Sequence, residues 1–200
     1  MRPPNSDAGP SGKKEKNLLK GKSKAADTQA AVENTNFKAI GIAVIPDGVI
    51  LDEQVLTPVQ GKVPDRTTIQ MLVGQGLAVL NQNGFDLCRT WTHSQLADFF
   101  FSVLPNVFGY FKDLEADNPG SAQWLLGVAS RFTLKVVPVP RPTGFDVEYN
   151  TVQSRTSFRN VQILILARHP IPVRVYSAWI DSEFLSFTGE NDPVDNDGKI

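Results

Sequence analysis

Residues 91–105, WTHSQLADFFFSVLP, carry the strongest secondary-structure signal in the chain. Thr92 and Gln95 have the spacing of a capping box, in which the threonine hydroxyl accepts from the backbone N–H three residues on and the glutamine side chain accepts from the threonine N–H. The apolar residues that follow have the spacing of one helical face; they are Leu96, Phe99, Phe100, Val103 and Leu104. The stretch predicts a helix that begins after Thr92, ends at Pro105 and packs against a sheet.

Upstream of this helix, the sequence predicts a β-hairpin and a short helix. Residues 37–45 are aliphatic and β-branched enough for a buried strand, and Pro46-Asp47-Gly48 is typical of a turn. Residues 49–56 are therefore predicted to be the second strand of the hairpin. Asp65 is a suitable N-cap for a helix that the glycines within residues 74–76 would end.

Two further strand pairs follow from turn signals and alternation. Residues 77–80 and 85–88 flank Asn81-Gln82-Asn83-Gly84, and an Asn-Gly pair is typical of a hairpin turn. Residues 124–128 and 131–137 also read as paired strands, the second with alternate side chains facing inward; these are Phe132, Leu134 and Val136.

The remaining segments complete a sheet covered by helices. Aromatic residues within 107–111 are predicted to be core, since large aromatic side chains are mostly buried. Residues 138–142, PVPRP, are predicted to be a stiff connector because proline fixes φ. Residues 145–149 are predicted to be an edge strand, and the aliphatic run 161–167 a central strand covered on both faces. A last helix is expected after Pro172.

These elements predict an α+β fold: a mostly antiparallel sheet of five to seven strands with two or three packed helices. The expected organisation is a disordered basic tail over residues 1–35, a single α+β domain over 36–185, and a disordered acidic tail over 186–200. Residues 1–24 carry seven basic and two acidic residues, a net charge of +5, and residues 181–200 carry six acidic residues and one lysine, a net charge of −5. With a whole-chain charge of −1, the residues between them carry only −1, which argues against a strongly charged folded surface.

The sequence contains few residues suited to metal or nucleophilic chemistry. Cys88 is the single cysteine, and the two histidines, His93 and His169, have no carboxylate at ligand spacing. Cys88 and His93 could form a thiolate–base pair, but a structural thiol is the favoured interpretation. Common nucleophile and phosphate-binding motifs are absent. We therefore assign no catalytic residue, metal ligand or cofactor.

Two candidate sites remain. One is a set of lysines in the N-terminal segment that could bind a polyanion or direct nuclear import; it comprises Lys13, Lys14, Lys16, Lys20, Lys22 and Lys24. The other is Arg168-His169, between the predicted central strand and a proline turn. Ligands often bind at strand ends, although that rule belongs to parallel sheets.

Three segments resemble a widespread set of uncharacterised proteins from mushroom-forming fungi: 85–100, FDLCRTWTHSQLADFF; 142–150, PTGFDVEYN; and 163–179, ILILARHPIPVRVYSAW. The resemblance covers residues 37–180 and implies an intracellular fungal source, without an established activity.

Three functions are compatible with the sequence. The first is a soluble, non-enzymatic intracellular module that binds another protein. The second is association with nucleic acid or another polyanion through the lysine-rich arm, and the third is an enzyme whose site is not recognisable from sequence. The absence of a long apolar run disfavours membrane spanning, and a lone cysteine favours a cytoplasmic or nuclear location. The oligomeric state is open.

Overall fold

The computed structural model describes residues 35–117, 119–152 and 161–188, and in residues 181–188 it describes the helix without its side chains. The lysines at positions 13–24 lie outside these residues. So do residues 1–34 of the predicted basic tail and residues 189–200 of the predicted acidic tail.

The described residues form an α+β fold, as predicted. Its strands are β1 (Asn36–Ile45), β2 (Val49–Asp52), β3 (Val55–Pro58), β4 (Ala78–Cys88), β5 (Trp124–Ser130), β6 (Thr133–Val136) and β7 (Gln162–Ala167). Its helices are α1 (Arg66–Gly74), α2 (His93–Val103), α3 (Pro105–Asp117), α4 (Gly144–Thr151) and α5 (Val173–Thr188). These five helices in the described part of the chain exceed the two or three predicted.

The main sheet has five strands in the order β4-β1-β7-β5-β6. It is mixed, because β7 runs parallel to β1 while the other three neighbouring pairs are antiparallel. Parallel neighbours cannot be joined by a tight turn, and here all the elements from β2 to α4 lie between β1 and β7 in the chain.

Strand β7 lies at the centre of this sheet, as its aliphatic sequence predicted. Residues 163–167 are all buried. Because successive side chains of a strand point to opposite faces of the sheet, both faces are covered at β7. Its two neighbours supply hydrogen bonds on both edges, with Ile163 paired to Ile42 and Leu166 paired to Leu125. A strand in this position is apolar at successive residues because helices or loops cover both faces.

Helix α2 has the predicted N-terminal cap. The Thr92 N–H donates to Gln95 Oε1 at 2.9 Å, and the Gln95 N–H donates to Thr92 Oγ1 at 3.3 Å. Leu96 and Phe100 on its inner face are fully buried. Pro105 does not lead into a loop: it is the first residue of α3, a position where a missing N–H costs nothing. The apolar residues predicted to be core therefore lie on α3, where Val107, Phe108 and Phe111 are buried.

Both hairpins predicted upstream of α2 are wrong in their pairing. Residues 49–56 turn at Glu53-Gln54, which have φ of 44° and 70°, so β2 pairs with β3 and not with β1. Residues 78–88 form one strand, because the segments on both sides of the Asn-Gly pair bond to β1. Residues 81–84 bulge out between them, and Gly84 has a φ of 78°. An Asn-Gly pair readily adopts the positive φ that a hairpin turn needs, and a bulge can need the same backbone conformation.

Strands β5 and β6 pair as predicted, from Gly127 with Val136 to Ser130 with Thr133. Phe132 does not face inward: it lies in the turn and is 88 % exposed. Arg131 before it has a φ of 57°, so the alternation begins only after the turn.

The predicted edge strand over residues 145–149 is wrong, because this segment is part of α4. Asp146 Oδ2 accepts from the Thr143 N–H at 2.8 Å and from the Thr143 hydroxyl at 2.7 Å. A Thr-x-x-Asp pair at a helix start is a capping box, which local alternation of apolar residues concealed.

Gly144 brings the start of α4 against the chain between β4 and α2. Its N–H donates to the Trp91 carbonyl oxygen at 2.9 Å. A Cβ atom at this position would overlap the carbonyl oxygen of Cys88 and lie 3.0 Å from that of Arg89. The Arg89 Nε also pairs with Glu148 of α4 at 3.4 Å. Only glycine permits this approach.

We expect Gly144→Ala to lower the free energy of unfolding by about 1–3 kcal/mol, since overpacking against fixed backbone forces the two segments apart. Gly74→Ala is the matched control, because a Cβ at Gly74 would meet nothing within 4 Å. Urea denaturation of the two variants measures the difference. A Gly144→Ala midpoint equal to that of the Gly74→Ala control would contradict the close approach.

Candidate functional site

A cleft of about 620 Å³ lies between the β2–β3 hairpin and the β5–β6 side of the main sheet. The hairpin tip overhangs it with Val55 and Leu56, and buried side chains of Ala122, Leu125 and Val137 form its floor. Its volume is within the range of ligand-binding pockets in proteins, which are mostly apolar with a few polar groups. The other residues that line it are Gln54, Gly120, Ser121, Val136, Pro138, Val139, Pro140, Arg141 and Arg168.

Two arginines give this apolar cleft a positive charge. Arg141 and Arg168 both line it, and none of the described residues that line it is an aspartate or glutamate. Within the described part of the chain, neither guanidinium forms an ion pair or a hydrogen bond. A guanidinium has five N–H donors in a planar fork that matches a carboxylate or phosphate. The cleft can therefore bind an anionic group beside an apolar one.

The backbone around Arg168 is fixed by hydrogen bonds to the neighbouring strand. The Arg168 N–H donates to the Gln123 carbonyl oxygen at 2.8 Å, which extends the β7–β5 pairing by one residue. Gln123 is buried, and its side-chain amide donates to the Ser121 carbonyl oxygen at 2.9 Å. These bonds hold the end of the cleft at which Arg168 lies.

The two residues of the candidate pair Arg168-His169 do not lie at the same site. Arg168 lines the cleft, whereas His169 is exposed and lines neither this cleft nor the pocket described below. Sequence reasoning missed Arg141, although it lies within the proline-rich segment 138–142 that was predicted to be a connector. An arginine between prolines is held on a stiff backbone, and that signal was present in the sequence.

A second pocket, of about 380 Å³, lies beside His93 at the start of α2. The His93 ring stacks on Trp124, with 4.7 Å between ring centroids and 17° between planes. Its Nδ1 lies 3.1 Å from the Pro142 carbonyl oxygen. Since a carbonyl oxygen only accepts, Nδ1 carries the hydrogen, and in the neutral ring Nε2 is left as an acceptor.

The surroundings of His93 favour its neutral form. Burial lowers the pKa of His93 from its usual value of 6.5, and the positive charge of Arg141 lowers it further. The hydrogen bond to Pro142 and the charge of Glu115 act in the opposite direction but do not compensate. The ring is therefore neutral at pH 7.

Within the described residues, no hydrogen bond joins Cys88 and His93. Its Sγ lies 3.1 Å from Thr90 Oγ1, and the thiol donates to Thr35 Oγ1 at 3.7 Å. Hydrogen bonds with Thr90, and then with Thr35, lower the pKa of the Cys88 thiol. The described hydrogen bonds of His93 lead instead to Pro142, and Cys88 lines neither cavity.

Within residues 35–117, 119–152 and 161–188, no group of three or more histidine, cysteine, aspartate or glutamate side chains is arranged to hold a metal ion. Over the same residues, no helix has the length and apolar character needed to cross a membrane.

Comparison of the chain with protein-family models, curated proteins and solved structures finds no match. The resemblance to fungal proteins therefore stays a prediction.

We expect the pKa of His93 to lie below 6.5, mainly because burial disfavours the imidazolium. As pH falls through 6.5, the unfolded chain then takes up the proton before the folded chain does. The stabilising contribution of His93 is present above pH 6.5 and is lost as pH falls through its folded pKa. An NMR titration of the ring C–H signals measures this pKa.

The variant His93→Gln assigns the signal, because the chain has only two histidines. It should also flatten the decrease in stability just below pH 6.5. A His93 pKa at or above 6.5 would show that the ring is not held against Trp124 as described.

Proposed function

We propose that the protein is a non-enzymatic interaction module that binds an extended segment of another protein in the cleft beneath the β2–β3 hairpin. The observation that carries this proposal is an apolar floor beside two arginines that, within the described residues, form no ion pair and have no carboxylate beside them in the lining. The segment that fits this chemistry has apolar side chains next to an aspartate or glutamate.

Charge complementarity selects the acidic residue of the partner. A carboxylate placed between Arg141 and Arg168 meets no negative lining residue, and a charged hydrogen bond beside apolar surface is stronger than one in bulk water. An uncharged or basic segment would bury the two guanidinium groups without compensation.

The hairpin supplies additional apolar contact area outside the cleft. Three large aliphatic side chains of the hairpin are exposed to solvent: Leu51 by 71 %, Val55 by 63 % and Ile50 by 54 %. A group of exposed apolar side chains this close together often marks a binding surface. Val59, directly after β3, is 54 % exposed as well. A segment that enters the cleft beneath Val55 would cover part of this surface, which favours a polypeptide over a small anion.

The test is a selection of random peptides displayed on phage against the full chain, followed by affinity measurements on the enriched peptides. We expect these peptides to combine apolar residues with at least one aspartate or glutamate. Arg168→Glu and Arg141→Glu should each weaken their binding by about tenfold or more, since a charged hydrogen bond contributes about 1.5–3 kcal/mol and 1.4 kcal/mol is a factor of ten.

Arg174→Glu is the matched control, because Arg174 is exposed on α5 and lies outside the cleft. It makes the same change in charge and should leave peptide affinity unchanged. Peptides that bind the cleft variants as tightly as the unchanged chain would overturn the proposal. Binding of a labelled oligonucleotide that is lost on removal of residues 1–24, without any peptide binding, would favour the polyanion function instead.

A further inference from the structure

The pocket beside His93 has a composition that the interaction function does not use. Its inner wall is aromatic, formed by the buried rings of Phe108, Phe111 and Trp124, and Phe101 at its edge is 45 % exposed. Phe108, Phe111 and Trp124 are only 4 %, 3 % and 4 % exposed, so the open part of this wall is the ring of Phe101, which can pack against a ring or a branched aliphatic group of a ligand.

Charged side chains of both signs line the same pocket. Asp98 lies on α2, Lys112 and Glu115 lie on α3, and Arg141 belongs to the segment before α4. Among the described residues, none of these four side chains forms an ion pair with another. Two cations and two carboxylates that are gathered around one pocket without pairing match a ligand that carries both charges.

His93 adds a directed acceptor. Its Nδ1–H donates to Pro142, so Nε2 has a lone pair and no described partner. Stacking on Trp124 fixes the plane of the ring, and the hydrogen bond from Nδ1 to Pro142 fixes its rotation within that plane, so the direction in which Nε2 accepts is set. An ammonium or amide N–H of a ligand satisfies this acceptor.

From this geometry we propose that the pocket beside His93 binds a small zwitterion of the amino-acid class, with an aromatic or aliphatic side chain against the aromatic wall. The carboxylate of the ligand pairs with Lys112 and Arg141. Its ammonium group lies near Glu115 and Asp98 and donates to His93 Nε2. This site goes beyond the proposed function, and Lys112 and Glu115 separate the two, because they line this pocket and not the cleft.

The test is an NMR titration of the full chain with L-phenylalanine at constant pH, monitored at the ring C–H signals of the two histidines. We expect the His93 signal to shift to saturation while that of His169, which lies outside the pocket, stays in place. Phenylalaninamide, which lacks the carboxylate, and 3-phenylpropanoate, which lacks the ammonium group, should each bind about tenfold more weakly or worse, since each loses a charged hydrogen bond.

Lys112 and Glu115 are exposed, and the substitutions Lys112→Gln and Glu115→Gln should each weaken L-phenylalanine binding severalfold. Lys135→Gln is the matched control for Lys112, since Lys135 is exposed on β6 and lines neither cavity. A His93 signal that does not move at saturating probe concentrations would overturn the proposal. Equal affinity for all three probes would overturn it as well, since the pocket would then recognise only the ring.

Discussion

The packing of Trp124 of β5 against helices α2 and α3 is the interaction on which the rest of the structure depends. Its ring meets Phe100 of α2 edge-on at 5.5 Å, Phe108 of α3 edge-on at 6.0 Å, and the face of His93 at 4.7 Å. Trp124 is the first residue of β5 and is itself buried. It therefore joins the sheet to both helices at one point and fixes the start of α2.

That junction also connects the two cavities. His93, held against Trp124, donates to the carbonyl oxygen of Pro142, and the residues just before Pro142 form a wall of the arginine-lined cleft. Arg141 lines both cavities. The positive charge of Arg141 also contributes to the lowered pKa of His93.

The sequence predicted the elements that are determined locally. The capping box at Thr92 and the aliphatic run of β7 depend on neighbouring residues, and both are present. Strand pairing was not predictable in the same way. The Asn-Gly pair before Phe85 is compatible with a hairpin turn and with a bulge, and it forms a bulge here because both flanking segments pair with β1, which is distant in the sequence. The cleft was missed because Val55, Arg141 and Arg168 come from three distant segments, and no spacing in the sequence relates them.

A double-mutant cycle on Phe100 and Trp124 tests most directly whether this junction holds the fold together. Phe100→Leu, Trp124→Leu and the double variant would be compared with the unchanged chain by their free energies of unfolding in urea. The edge-on contact predicts a coupling energy of about 0.5–1.5 kcal/mol beyond the loss of apolar area. Losses that add within experimental error would show that the two rings do not interact, and would contradict the central place given to Trp124.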